Sequence, residues 1–249
     1  MRLKEWENMP PEMKNEDVKP YYDALKQKYI SLIFKRLFDI SVSLIMLIVL
    51  SPLFLILAIA VKADSPGTVF YRQLRVTSYG KTFRIYKFRT MVSNADKIGA
   101  QVTVNNDSRI TRVGKIIRKC RLDEIGQLIN VLNGTMTFVG VRPEVPKYVD
   151  HYTPEMYATL LLPAGVTSLT SIYYKDEDEL LDGADDPDEV YIDEVLPGKM
   201  YYNLERIKNF GFFSDIKIMF MTVLAVCGKE FVPKHTESEE TRENYAVKM

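Results

Sequence analysis

Between Ile40 and Val61 the chain reads ISVSLIMLIVLSPLFLILAIAV, without a single charged residue. A run of about 20 apolar residues is long enough to cross a bilayer. Because it is apolar on every face, it does not suit a half-solvated surface helix; a buried core helix is the soluble alternative. It begins deep in the chain with no small-residue cleavage site after it, unlike a signal peptide. Ser51-Pro52 sits at its middle. Proline lacks a backbone donor and crowds the preceding turn, so a helix breaks or kinks there. The Ser51 hydroxyl can serve a carbonyl that the break frees. Both flanks are basic: Lys26, Lys28, Lys35 and Arg36 before, Lys62, Arg72 and Arg75 after. A spanning helix cannot keep both flanks in the cytoplasm, whereas one that enters and returns can. The pattern predicts a re-entrant helix–break–helix over 35–62 in preference to a kinked span.

Residues 1–34 form a polar N-terminal segment, with a short surface helix expected over Tyr21 to Tyr29. Thr68 to Tyr71 has strand composition. In GKTFRIYKFRTM, Phe83, Ile85 and Phe88 interleave with Arg84, Lys87 and Arg89, which predicts a hairpin turning near Ser78-Tyr79-Gly80. RITRVGKIIRKC reads as a short helix with Ile116 and Ile117 inward. EIGQLINVLNG places Ile125, Leu128, Ile129 and Leu132 on one helical stripe, closed by Gly134. A short strand follows in MTFVGV, and LPAGVTSLTSIYY reads as a turn and a strand-like run. GFFSDIKIMFMTVLAVCG closes the folded part. Its uncharged stretch, 218–227, is too short to span and suits an interfacial helix or packing beneath the membrane segment. The tail, 233–249, is polar and expected to be disordered.

The balance of 33 basic and 33 acidic residues gives no partner by itself, but the charges are unevenly placed. Basic residues crowd 72–121 and acidic ones 176–194, so the first region suits an anionic ligand or surface. The acidic run lacks the spacing of a calcium loop and reads as solvated loop with helical pieces. Two cysteines, Cys120 and Cys227, make no disulfide framework; a Cys120–His151 nucleophile pair is conceivable, but nothing in the sequence aligns the two.

Directly after Arg118, Lys119 and Arg121 stand two adjacent carboxylates, Asp123 and Glu124. Helix capping is one explanation, since an acid at the N-cap and another in the first turn satisfy free N–H groups and the helix dipole. The surrounding cations suggest another. A cation-flanked helix N-terminus binds phosphate, and a divalent metal bridging carboxylate and phosphate makes two acids compatible with an anion site. Carboxylates can also attack phosphorus.

LDEIGQLINVLNGTMTFVGVRPE resembles the core of the bacterial sugar transferases, the monotopic phosphoglycosyl transferase family. KRLFDISVSLIMLIVLSPLFLILAIAVKADSPGTVFYRQLRVTSYGKTFRIYKFRTM is similar to that family's N-terminal half. LPAGVTSLTSI is similar to its Pro-Gly-Ile-Thr-Gly turn, and FFSDIKIMFMTV to its closing helix. The resemblance runs in order from Lys35 to Lys229 and implies transfer of a sugar-1-phosphate from a UDP-sugar to polyprenyl (undecaprenyl) phosphate. In that reading Asp123 is the nucleophile, and Glu124 its partner in holding Mg²⁺ or assisting the lipid phosphate. Arg118 and Arg142 bind phosphate on either side, Lys87 and Arg89 form the basic strand beside the site, and Ser51 and Pro52 make the helix break. The implied location is the cytoplasmic face of a bacterial inner membrane, with no nucleic-acid partner and a homo-oligomer possible.

Three departures stand out. Gly126 replaces a proline after the acid pair, Val141 precedes Arg142 in place of a proline, and Lys175 falls roughly where the family has an arginine. Lysine lacks the guanidinium fork, so donor contacts differ there. The expected fold is a membrane-associated mixed α/β protein, with a cytoplasmic domain over 63–232 built from amphipathic helices and a short β-hairpin. A conventional glycosyltransferase, a metal-dependent membrane phosphatase and a non-catalytic anionic-lipid anchor are the rival functions.

Overall fold

The bend falls where Pro52 requires it. In the computed structural model, which describes residues 1–95, 107–174, 186–229 and 231, helix α1 (Lys19–Gln27) leads into α2 (Tyr29–Val49) and α3 (Ser51–Asp64). The α2–α3 pair bends by 62° at Leu50. Pro52 has no N–H for the Ile48 carbonyl, and the Ser51 hydroxyl donates to that oxygen at 2.8 Å. No single described helix is long and apolar enough to cross a membrane; the bent pair together has the length and composition. Both arms leave large apolar side chains outward, including Ile45, Ile48, Val49, Leu55, Ile56 and Ile59. Restoring the backbone donor with Pro52→Ala should straighten the pair, read as altered accessibility to a membrane-impermeant thiol reagent of cysteines placed before residue 35.

After α3 the chain forms an antiparallel hairpin of β1 (Phe70–Val76) and β2 (Thr82–Phe88), with Phe70 opposite Phe88 and Val76 opposite Thr82. The turn lies at Ser78–Gly80 as expected. Strand periodicity sends Phe83 and Ile85 to one face, against Val131, Met136 and Ala164. Phe88 points the other way, into a cluster with Leu57, Val61 and Ile117 that joins the hairpin to α3. Helix α4 (Arg112–Lys119) is capped by the Thr111 side chain. Of its paired isoleucines only Ile117 is inward; Ile116 is 65% exposed. The inward stripe instead pairs buried Ile117 with partly buried Val113, four residues before it.

A 3₁₀ turn (Leu122–Gly126) and helix α5 (Gln127–Asn133) follow. The stripe in this segment also differs from expectation. Gln127, Leu128, Asn130 and Val131 are buried, while Ile125 and Ile129 are only partly so, because the 3₁₀ turn changes the angular spacing before α5 begins. Gly134 ends α5 at φ 87°, as predicted. Strand β3 (Met136–Val139) pairs in parallel with β4 (Ala164–Thr167). This two-stranded parallel sheet was not foreseen, and part of the strand-like run after it is a helical turn, Leu169–Tyr173. Asp186 caps a helical segment that continues into α6 (Leu196–Lys208), and α7 (Phe212–Val226) ends the described chain apart from its last residues.

The N-terminal segment belongs to the main core. Met9, Met13, Val18, Tyr22 and Leu25 are buried against Leu161, Leu196, Met200 and Leu204. Helix α1 lies at the surface as expected, with its Tyr22 and Leu25 face packed into that core. Helix α7 packs beneath the base of α2, with Phe212 against Phe34 and Phe38, while Phe213, Phe220, Val223 and Val226 stay exposed. Residues 176–185 of the acidic run lie outside the described residues, as do Lys175 and the 233–249 tail.

Candidate active site

The acid pair is presented by the 3₁₀ turn, not by the first turn of a long helix. Arg121 takes a left-handed φ of 54° just before it, and neither carboxylate makes a side-chain cap. The turn packs on the end of β2. At Gly126 a Cβ would lie 2.9 Å from the Tyr86 carbonyl, so the missing side chain is what permits this approach. Asn130 locks the arrangement from α5: its Oδ1 accepts from Tyr86 N at 2.8 Å, and its Nδ2 donates to the Arg84 carbonyl at 3.2 Å.

Lys87 occupies the next inward position of β2 after Phe83 and Ile85, where the core gives way to the acid pair. Its Nζ donates to Glu124 Oε1 at 3.0 Å. Arg142, on the loop after β3, reaches the same oxygen at 3.9 Å. These cations separate the two acids electrostatically. Burial alone would raise Glu124, but Lys87 and Arg142 outweigh it and hold the carboxyl down at about 2. Burial raises Asp123 above its ordinary value; Lys87 opposes this, and the neighbouring Glu124 charge adds to it. Arg118 acts on Asp123 through space and Arg121 on Glu124. One acid is thus a locked anion and the other a more basic carboxylate, a split that assigns different roles to paired acids.

Of the residues expected beside the site, Lys87 and Arg142 reach the acid pair, and Arg118 is near enough for its charge to act on Asp123. Arg89 does not. It is 6% exposed, and its guanidinium donates to the carbonyls of Val61, Ser65 and Pro66 at the end of α3. The strand ends at Phe88, so alternation no longer aims Arg89; the free carbonyls of the helix end capture it instead. Lys175 lies outside the described residues. Cys120 and His151 are each exposed, with the His151 ring bonded to the Lys147 carbonyl.

Residues 30–229 match the family model for bacterial sugar transferases. The chain belongs to that family. A UDP-N-acetylgalactosamine-undecaprenyl-phosphate N-acetylgalactosaminephosphotransferase of Aeromonas hydrophila is 37% identical over 196 residues, covering 77% of this chain and 43% of the relative. A UDP-glucose:undecaprenyl-phosphate glucose-1-phosphate transferase of Klebsiella pneumoniae is 37% identical over 200 residues, 78% of this chain and 40% of the relative. The exopolysaccharide production protein PSS of Rhizobium leguminosarum bv. phaseoli is 35% identical over 201 residues, 78% of this chain and 95% of the relative. The chain thus spans less than half the length of the first two and nearly all of the third.

Whether a metal fits here depends on the donor set. Among the described residues no three acid, histidine or cysteine side chains converge, so an all-protein cage is not formed. Two adjacent carboxylates do fit Mg²⁺, which takes one or two carboxylates and completes its shell with phosphate and water.

Sequence reasoning passed over two residues that build the site. Asn130 carried no signal beyond lying between apolar neighbours, yet a polar residue in a buried helical stripe must find partners. Arg75 read only as flanking charge, but its Nη1 donates to the Pro143 carbonyl at 3.1 Å, beside Arg142.

Proposed function

We propose that this protein is a membrane-associated phosphoglycosyl transferase that moves a sugar-1-phosphate from a UDP-sugar to undecaprenyl phosphate and releases UMP. The observation that carries the reading is the divided acid pair: Glu124 fixed as an anion by Lys87 and Arg142, and Asp123 made more basic beside it. The substrates named for the relatives of Aeromonas and Klebsiella support it.

In the first step a carboxylate oxygen of Asp123 attacks the sugar-bearing phosphorus. The bond from that phosphorus to the bridging oxygen breaks, and UMP leaves with the electron pair. The enzyme then carries an aspartyl sugar-phosphate. In the second step an oxygen of undecaprenyl phosphate attacks the same phosphorus, the acyl–phosphate bond breaks, and the Asp123 carboxylate returns. Lys87 keeps Glu124 ionised and oriented between the steps. Arg142 and Arg118 offset charge on the phosphates, where fixed cations contribute most in a site screened from water. Asp123 and Glu124 would hold Mg²⁺, which supplies further neutralisation of a doubly charged donor.

The apolar faces of α2, α3 and α7 suit a bilayer surface, entered from the cytoplasmic side if the basic flanks stay there. The acid pair would then meet a lipid phosphate at headgroup depth. The product would start a lipid-linked glycan.

The experiment is a panel of UDP-sugars with undecaprenyl phosphate in detergent. UMP should appear only with the lipid acceptor or, in a single stoichiometric burst, without it; EDTA should stop turnover. Release of UDP would indicate a conventional glycosyltransferase, and lipid-independent hydrolysis a phosphatase. In the same assay Lys87→Met should move the acid limb of kcat/KM to higher pH. Removing the ammonium takes away the largest charge that lowers Asp123, so protonation silences the nucleophile at a higher pH.

A further inference from the structure

Two residues after Arg142, the Glu144 side chain turns inward and is 7% exposed. Tyr191 donates its hydroxyl to Glu144 Oε1 at 2.7 Å, and Lys199 Nζ reaches the same oxygen at 3.2 Å and the Tyr191 oxygen at 2.7 Å. Tyr191 and Lys199 are themselves buried, at 4% and 2% exposure. The Glu144 carbonyl accepts from Val76 N at 2.9 Å, and the Arg75 guanidinium holds the Pro143 carbonyl. The loop that carries Arg142 is thus gripped on its inner side by charged and polar groups from the hairpin and from the helical segment after the acidic run.

Apolar packing would join these segments at least as firmly, since a buried ion pair seldom outperforms a matched hydrophobic one. A shared carboxylate oxygen adds direction, because it fixes the loop's rotation as well as its depth. Arg142 projects from that loop to Glu124.

We propose that Glu144, Tyr191 and Lys199 are positioning residues that set the Arg142 guanidinium against the phosphates of the donor. The proposal rests on the transferase reading for its substrate, and on the geometry alone for the coupling. The segment 187–208 thereby acts on the phosphate site through one loop, without touching the substrate.

The test is a double-mutant cycle on the full chain. The paired replacement Glu144→Gln with Lys199→Met removes both charges, keeps an acceptor for Tyr191 and preserves volume. Its melting temperature should stay near that of the parent. Its kcat/KM should fall by about 10- to 100-fold, the scale of a roughly 1 Å displacement of a positioned group. In an Arg142→Ala background the same pair should change kcat/KM by less than about twofold. Equal losses in both backgrounds, or no loss in the parent, overturn the proposal. Tyr191→Phe removes a single hydroxyl and serves if the pair fails to fold; its smaller loss should vanish with Arg142 in the same way. Binding of inorganic pyrophosphate with Mg²⁺, measured by calorimetry through the same cycle, needs no turnover. A wild-type protein that binds pyrophosphate through Arg142 but never releases UMP defeats the transferase reading while the cycle still decides the coupling. Pyrophosphate binding untouched by Arg142→Ala defeats the coupling itself.

Discussion

Asp123→Asn is expected to abolish UMP release, by about 10³-fold or more, and to leave the protein as stable as the parent or slightly more so. The two outcomes share one cause. The folded protein raises Asp123 above its ordinary value through burial and through the Glu124 charge. A carboxyl raised on folding disfavours the folded state wherever it is ionised, that is, above its folded pKa. Asparagine has the same shape and no charge, so at neutral pH the repulsion disappears together with the nucleophile. Glu124→Gln should do the reverse. Glu124 is held near 2, below its ordinary 4.5, so its contribution to stability is complete above the ordinary value and is lost as pH falls through the folded one. Replacing it removes that contribution at pH 7 and frees Lys87 and Arg142 from their shared partner. Melting curves at neutral pH should therefore separate the two variants in opposite directions. Mass spectrometry of enzyme incubated with donor alone should find an added sugar phosphate on the parent and none on Asp123→Asn. Robust turnover by Asp123→Asn, or a drop in its melting temperature larger than that of Glu124→Gln, would sink the role given to Asp123.

How far the sequence reached depends on the range of the interaction concerned. The break at Pro52 was legible because a missing donor acts within one turn, and the serine that repairs it is adjacent. The hairpin and the Gly134 stop are equally local. Lys87 was placed beside the site by the resemblance alone; the interleaving read in the sequence set it apart from Phe83 and Ile85, whereas strict alternation in β2 keeps it on their face and turns Phe88 away, and Arg89, two residues on, lies past the strand end. The parallel pairing of β3 with β4 joins segments separated by a long crossover, and no short pattern announces it. The docking of Tyr22 and Leu25 of α1 follows from contacts with α6 far along the chain, so a polar composition alone concealed it. The acid pair was visible as residues and its neighbours were visible as charges. What could not be read was the order among them: that Lys87 and Arg142 both turn to Glu124 and leave Asp123 the more basic of the two.

The same limit applies at the foot of α2, where the second large effect is expected. Lys35 is 3% exposed inside the fold, although a lysine beside an apolar run reads as a topology signal. Its Nζ donates to the Val139 carbonyl at 2.7 Å and to Asp215 Oδ2 at 2.8 Å. Asp39, one turn on, accepts from the Thr137 hydroxyl at 2.7 Å and from Phe138 N. Arg206 pairs with the other oxygen of Asp215. Two cations and two carboxylates thus balance along β3 from Thr137 to Val139, tying α2 to α7 and to the strand that leads to Arg142. Lys35→Met keeps the stem and removes the charge, leaving two buried carboxylates with one cation. Breaking such a group from one side costs about 3–5 kcal/mol, a large share of the roughly 5–15 kcal/mol that holds a domain together. Adding Asp39→Asn to Lys35→Met restores neutrality, while the amide oxygen can still accept from Thr137 or Phe138. The double variant should therefore unfold at a higher denaturant concentration than Lys35→Met alone. If Lys35→Met matches the parent in denaturant, or if the second change lowers stability further, charge balance does not govern this joint and Lys35 acts only as a flank of the membrane segment.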